Sequence, residues 1–237
     1  MHKALMVGAL LLAAGQAQAD YQCSVKPQDD VVITPQTVQV VGANGNLVIT
    51  PTGDVQRNGQ AAKVDTATRQ KAIDYQTALR RDLPWVDQGA RTRLEKGRVA
   101  LDKVIVEKLG SNSNVRNRLS KLDTQLKEQM NRIIEHRSDG LTFHHQAIDQ
   151  VRQDGEKLVQ SAMGGVVQDS LNEMGSQQSG NGGNPLQAIM GNLGGLQQSL
   201  QAEWGDQEKD FQNFGHEVCQ RVTHLEQQRK GLVAGLK

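Results

Sequence analysis

Two cysteines are the residues of this 237-residue chain whose placement points most directly to chemistry. Cys23 and Cys219 lie near opposite ends of the sequence, and an even number of cysteines in an oxidising compartment favours one disulfide. The chain-entropy model assigns a loop of this length about 5 kcal/mol as an upper value. The alternative is two unpaired redox thiols, but these usually occur as C-x-x-C, which is absent. We therefore expect a structural disulfide.

The histidines do not follow a metal-binding pattern. His144 and His145 are adjacent, and neighbouring residues on a helix do not share a face. The segment from His216 to Cys219 lacks the second histidine at i+4 that a helical zinc site needs. The sequence predicts no metal site and no cofactor.

A serine, an aspartate and a histidine occur close together at Ser138, Asp139 and His144. They could be drawn as a catalytic triad, but these residue types are common in turns between helices. No G-x-S-x-G motif is present, and no pair of carboxylates stands out for acid–base catalysis. We therefore expect no catalytic residue and no enzyme activity.

The first 19 residues predict a cleavable signal peptide. A short basic start is followed by an apolar run too short to span a bilayer, and then by small residues at 17 and 19. Cleavage is expected between Ala19 and Asp20, with a buried N-terminal helix as the alternative. Asp20 stands where a lipoprotein would need cysteine, and no later stretch of 18 residues is apolar. The sequence thus indicates a periplasmic protein without a transmembrane segment after cleavage.

Charge is unevenly distributed along the chain. Residues 66–138 carry 16 basic and 9 acidic side chains, whereas residues 139–237 carry 7 basic and 12 acidic ones. Two interpretations remain open: the two halves face each other with complementary charge, or the basic half binds an acidic partner such as anionic envelope lipid. Nucleic-acid binding is not expected, because the mature chain is nearly neutral and shows no recognition motif.

The elements that position these residues differ between the two ends of the chain. Residues 20–64 predict a small β meander, with Asn58-Gly59 as its sharpest hairpin signal. Asp65 is a candidate helix N-cap, and residues 65–237 show helical periodicity with an expected flexible loop at 175–185. Pro84 is expected to end one helix and begin another. Residues 138–140 are expected to form a turn between helices.

The predicted fold class is α+β, mainly α, with an elongated antiparallel helical bundle and the β meander at one end. Each helix has one apolar stripe, which must be buried on a partner. Glycines inside the helices indicate either close helix packing or hinges. The stripe residues expected to be buried are Leu119, Leu126, Ile133, Ile148, Val151, Leu158, Leu196 and Leu225.

Several blocks carry a family resemblance. They are DYQC at 20–23, NLVITP at 46–51, QLKEQMNRIIE at 125–135, RSDGLTFH at 137–144, GNPL at 183–186 and EKDF at 208–211. The chain resembles the YggN family over essentially the whole mature sequence. That family is a set of uncharacterised bacterial periplasmic proteins, so the resemblance implies a compartment but no reaction, ligand or site residue.

Two classes of function follow from these observations. The first is a non-catalytic cell-envelope protein of unknown specific role that acts through its helical surfaces, as a partner-binding, chaperone-like or lipid-associated factor. The second is a small periplasmic enzyme with a dispersed active site. A long apolar groove favours the binder, and a deep pocket with convergent ionisable groups favours the enzyme. We expect the binder, with an envelope protein or an anionic lipid as its partner.

Overall fold

The computed structural model describes residues 23–43, 45–177 and 185–236. It is an α+β protein, mainly α, in which long antiparallel helices extend from an N-terminal antiparallel meander, and this confirms the predicted fold class. The predicted cleavage site, Ala19 and Asp20, lies outside the described residues. The elements are β1 (Asp29–Ile33), β2 (Val38–Gly42), β3 (Leu47–Ile49), β4 (Val55–Arg57), β5 (Gln60–Ala61), α1 (Thr66–Leu109), α2 (Asn114–Ile133), β6 (Ile134–Arg137), β7 (Gly140–Phe143), α3 (Ala147–Gln177) and α4 (Pro185–Val233).

Residues at the turns and at the helix start account for the β meander and for where it ends. Asn58 and Gly59 both have positive φ, at 51° and 81°, as the tight turn between β4 and β5 requires. Asp65 then caps α1, because its Oδ1 accepts a hydrogen bond of 2.7 Å from the backbone N–H of Thr68.

The sheet contains a hairpin that the helical periodicity did not predict. Its seven strands are ordered β5-β4-β3-β2-β1-β7-β6, so β6 and β7, from the middle of the chain, complete a sheet begun at the N-terminus. Residues 138–140, expected to join two helices, instead join these strands. Phe143, expected on a helical stripe, lies in β7 opposite Val31 of β1. The expectation was wrong because pairing with a strand about 110 residues away overrode local helical propensity.

The hydrophobic core lies between one face of this sheet, the start of α1 and the end of α4. Along β1 and β2 alternate side chains point inward, and Val38 and Val40 are almost fully buried. Helix α1 contributes Tyr75 and Leu79, and α4 contributes Leu232, which is 0% exposed. The core therefore joins the two ends of the chain.

Helix α1 runs without interruption over 44 residues, about 66 Å, with Pro84 inside it. The expectation that Pro84 would separate two helices was wrong. Proline removes one helical hydrogen bond at a cost of about 3 kcal/mol, but residues on both sides of it bind the same partner helix. Asp82 contacts Arg221 of α4, and the Trp85 ring packs on Phe214 of α4.

The helices pack as two antiparallel pairs, α1 with α4 and α2 with α3. The α2–α3 pair is aligned by ion pairs of Arg132 with Asp154 and of Arg118 with Asp169. Helix α3 ends at Gln177 and α4 begins at Pro185, inside the segment expected to be a loop, and residues 178–184 lie outside the described part.

The burial expected for the helical stripes is only partly reached. The side chains of Leu119, Leu126, Ile133, Ile148, Val151, Leu158 and Leu225 are partly buried, and that of Leu196 lies outside the described residues. Ile133, Ile148 and Leu225 pack against the core. The others were expected to be buried but are only partly so, because a pair of helices covers only a narrow strip of each partner.

Two helical glycines show where close packing applies, the alternative to which was a hinge. A Cβ atom added at Gly89 of α1 would overlap the ring of Phe214, so that glycine allows α4 to approach. A Cβ atom added at Gly164 of α3 would meet nothing within 4 Å. Close packing therefore explains Gly89 and does not explain Gly164.

Replacing Pro84 by alanine should raise the free energy of unfolding by about 1 to 3 kcal/mol, because alanine restores a helical N–H donor on an exposed face. Gln88→Ala, one turn further along the exposed side, is the matched control and should change stability by less than about 0.5 kcal/mol. Urea unfolding measures both. A loss of stability in Pro84→Ala would contradict the cost assigned to proline at this position of α1.

Alanine substitutions at Gly164 and Gly89 should change the free energy of unfolding in opposite directions. Gly164→Ala should add about 1 kcal/mol to the free energy of unfolding, because it improves helix propensity without a steric conflict. Gly89→Ala should lower stability despite the same propensity gain, because the aromatic ring of Phe214 must shift. Urea unfolding of the two variants, compared by their midpoints at an unchanged m-value, tests this prediction. Equal stabilisation by both substitutions would contradict the packing described for Gly89.

Candidate interaction surface on the helical arm

Cys23 and Cys219, the two cysteines of the chain, form a disulfide bond. The Cys23–Cys219 disulfide has a Cα–Cα distance of 5.5 Å, within the usual range for such bonds, and it links the segment before β1 to α4. Because Cys219 is oxidised, it cannot serve as the metal ligand considered for the His216 to Cys219 segment.

The serine, aspartate and histidine of the hypothetical triad are not brought together by the hairpin. Ser138 and Asp139 lie at its tip, whereas His144 follows the opposite end of β7, about four residues or 13 Å away along the strand. His144 instead hydrogen-bonds Glu135 at 3.2 Å. Among the described residues, no group of three or more His, Cys, Asp or Glu side chains is placed to hold a metal ion.

His145 has a structural partner that sequence reasoning missed. Its backbone N–H donates to Asp30 Oδ1 at 2.9 Å, and its Nδ1 lies 2.6 Å from the same oxygen. Burial raises the pKa of Asp30, but the hydrogen bonds from His145 outweigh this effect and hold the pKa below its usual value. This contact fastens the start of α3 to β1, and the sequence separation of 115 residues left no local signal for it.

A buried carboxylate fixes the contact of α1 with α4. The Asp82 side chain is 2% exposed and accepts hydrogen bonds from Arg81 and Arg221. Burial raises the pKa of Asp82, but these hydrogen bonds outweigh it and lower the pKa overall. The Arg221 guanidinium also lies over the Trp85 ring, 3.8 Å from its centroid, which adds a cation–π contact.

The contact between α1 and α4, which we call the seam, continues from Asp82 towards the end of the helices that is far from the sheet. The Trp85 and Phe214 rings are 5.2 Å apart, and Arg93 lies over Phe214 at 4.2 Å from the ring centroid. Arg93 also forms an ion pair of 3.1 Å with Asp210. Alternating rings and guanidinium groups therefore hold α1 and α4 in register well beyond the sheet.

The uneven charge of the chain is partly satisfied inside the molecule. Pairs in which a base of residues 66–138 meets an acid on α3 or α4 include Arg93–Asp210, Arg118–Asp169 and Arg132–Asp154. Such exposed or half-exposed pairs contribute at most about 1 kcal/mol each, but they place α1 and α2 against α3 and α4. This arrangement supports the interpretation in which complementary halves face each other.

We call residues 88–133, 150–177 and 185–213 the helical arm, since they form the parts of the helices that lie beyond the sheet. Large apolar side chains stay exposed here: Val99 is 52% exposed, Met163 46% and Phe211 42%. The sheet-facing core residues are at most 8% exposed. The arm therefore presents apolar surface that its own packing does not cover.

A groove runs along α1 beside α2. One face of α1 between Gln88 and Lys103 forms it together with Lys127 of α2, and its volume is about 640 Å³. We call it the α1 groove. Val99 and Ala100 are its apolar lining residues, which we call its floor, and the remaining lining residues are polar or charged.

A smaller depression of about 320 Å³ lies on α4 beside the disulfide. It is lined by Cys219 together with His216 and His224, which stand two turns apart on the same helix. The two imidazoles are thus about 12 Å apart along the axis and do not converge on one point.

The described part of the chain contains no helix that is both long and apolar enough to cross a membrane. No solved structure matches the sequence. Three curated proteins called "Uncharacterized protein YggN", from Escherichia coli strain K12, strain O6:H1 and O157:H7, are each 60% identical to the chain over 238 residues, covering 100% of both sequences. Residues 23–237 match the family described as "Protein of unknown function (DUF2884)", and the chain belongs to that family.

Proposed function

We propose that this protein is an exported, non-catalytic cell-envelope protein that binds a protein partner through the helical arm, in the manner of a chaperone. The observation that carries the proposal is the contrast within one chain between a closed core at the sheet and partly buried apolar stripes along the arm. We infer that a partner covers these side chains, because they leave apolar surface on three helices that the arm's own packing does not bury.

The geometry of the arm suits an extended apolar partner. Met163 of α3 and Phe211 of α4 are exposed on different helices, so apolar contacts are spread along the arm and not gathered in one pocket. Methionine adapts to partners of differing shape, as is common at surfaces that bind many sequences. The seam of Trp85, Phe214 and Arg221 keeps the arm extended while it presents these side chains.

Export to the periplasm is part of the proposal. It is supported by the signal-like pattern of residues 1–19 and by the disulfide between Cys23 and Cys219, since structural disulfides persist in oxidising compartments.

The protein purified from its host's periplasmic fraction should begin at Asp20 and carry a linked Cys23–Cys219 peptide. Intact-mass measurement and a non-reducing peptide map test both points. A retained Met1, a lipid on Cys23 or two free thiols would each contradict the proposed route.

The mature protein should suppress the aggregation of an unfolded apolar client, measured as light scattering of reduced, denatured lysozyme at equimolar concentration. The double variant Met163→Asp with Phe211→Asp should weaken client binding at least about tenfold, because burying each apolar side chain is worth about 1.5 to 3 kcal/mol.

The matched control is Val41→Asp on β2, where the side chain is 41% exposed at the sheet end, away from the arm. It introduces one aspartate at an exposure similar to that of each arm position, and it should leave suppression unchanged. Circular dichroism and thermal unfolding establish that each variant is folded. Full activity of the double variant, or equal loss in the control, would refute binding through the arm.

A further inference from the structure

The α1 groove has features that binding of an unfolded protein does not require. It is an open depression of about 640 Å³ on the helix surface, so a ligand would lie along it and keep one side in water. Its floor includes Val99, the most exposed of the large apolar side chains in the described residues, at 52%. An apolar floor of this kind favours a ligand with a hydrocarbon part.

The spacing along α1 places two cations beside this floor. Lys96, Val99, Ala100 and Lys103 follow one another at steps of three, one and three residues and therefore lie on one helical face. The two lysines are about 10 Å apart along the helix axis, with the apolar residues between them. Their aliphatic stems extend the apolar surface, while their ammonium groups reach solvent.

Other charges around the groove are already engaged. Glu95 pairs with Arg98 at 2.6 Å and with Lys127 at 3.4 Å, and the hydrogen bond from Arg98 is the main cause that lowers its pKa to about 2. Arg91 is held by Asp87 at 2.9 Å and by Asn131 at 2.7 Å.

Lys96 and Lys103 differ from these groups. Neither has a hydrogen bond or an ion pair within the described chain. The groove therefore combines an uncovered apolar floor with two ammonium groups available to an anion.

We propose that the α1 groove binds a long-chain fatty acid, with the acyl chain along Val99 and Ala100 and the carboxylate held at one end of them by Lys96 or at the other by Lys103. A free inorganic anion would leave the apolar floor exposed to water. A peptide strand would find no unpaired backbone donors or acceptors on an α-helical face to satisfy its own. A single acyl chain with a small anionic head matches both the floor and the charges.

Displacement of a fluorescent fatty acid by palmitate tests the proposal on the full mature protein, with the probe below its micelle concentration. Palmitate should compete for a saturable site, whereas hexadecanol, with the same chain and no charge, should bind about tenfold more weakly. Acetate and inorganic phosphate should not compete. Equal binding of hexadecanol, or displacement by acetate or phosphate, would overturn the assignment of a fatty-acid site.

The double variant Lys96→Gln with Lys103→Gln should raise the palmitate Kd about tenfold, which corresponds to about 1.4 kcal/mol. The matched control is Lys63→Gln with Lys121→Gln, since both lysines are exposed and lie outside the groove. An unchanged Kd in the first variant, an equal loss in the control, or no saturable binding to the original protein would refute the site.

Palmitate binding can succeed or fail independently of aggregation suppression, because Met163 and Phe211 do not line the α1 groove.

Discussion

The antiparallel pairing of β1 with β7 is the constraint on which the rest of the structure depends. It opposes Val31 to Phe143 and Ile33 to Leu141, and thereby attaches the α2–α3 pair, through its hairpin, to the sheet packed on α1 and α4. Gly140 permits this approach, because a Cβ atom at that position would overlap the carbonyl oxygen of Ile33. Without the pairing, the α2–α3 pair would be joined to the rest of the molecule only by chain connections, by helix-to-helix contacts and by side-chain contacts such as that of His145 with Asp30.

The molecule consequently has two packing regimes. Near the sheet, a broad β surface removes apolar side chains from water on one side while two helices close the other, so burial is nearly complete. Along the arm, helices cover each other only in strips, and much of the register comes from charged contacts such as Arg93 with Asp210. Such contacts are individually weak, but they are directional and keep the long helices aligned.

Local signals predicted much of this fold, and long-range contacts explain where they failed. The N-cap at Asp65 and the turn at Asn58 and Gly59 depend on neighbouring residues, so the sequence alone identified them. The β6–β7 hairpin depends on a strand far away in sequence, and its apolar residues also suit a helical stripe. The α1 groove was likewise hidden, because Lys96 and Lys103 resemble any solvated helix face until the position of α2 is known.

The disulfide places a condition on when this chain can complete its fold. Cys23 leaves the ribosome 196 residues before Cys219, so its thiol must wait for nearly the whole polypeptide. The hydrophobic core is also completed late, because Leu232 and Leu236, near the C-terminus, are part of it. The N-terminal meander therefore lacks both its covalent partner and part of its hydrophobic cover until the C-terminal residues are in place, and the last stretch of chain is the one that closes the molecule.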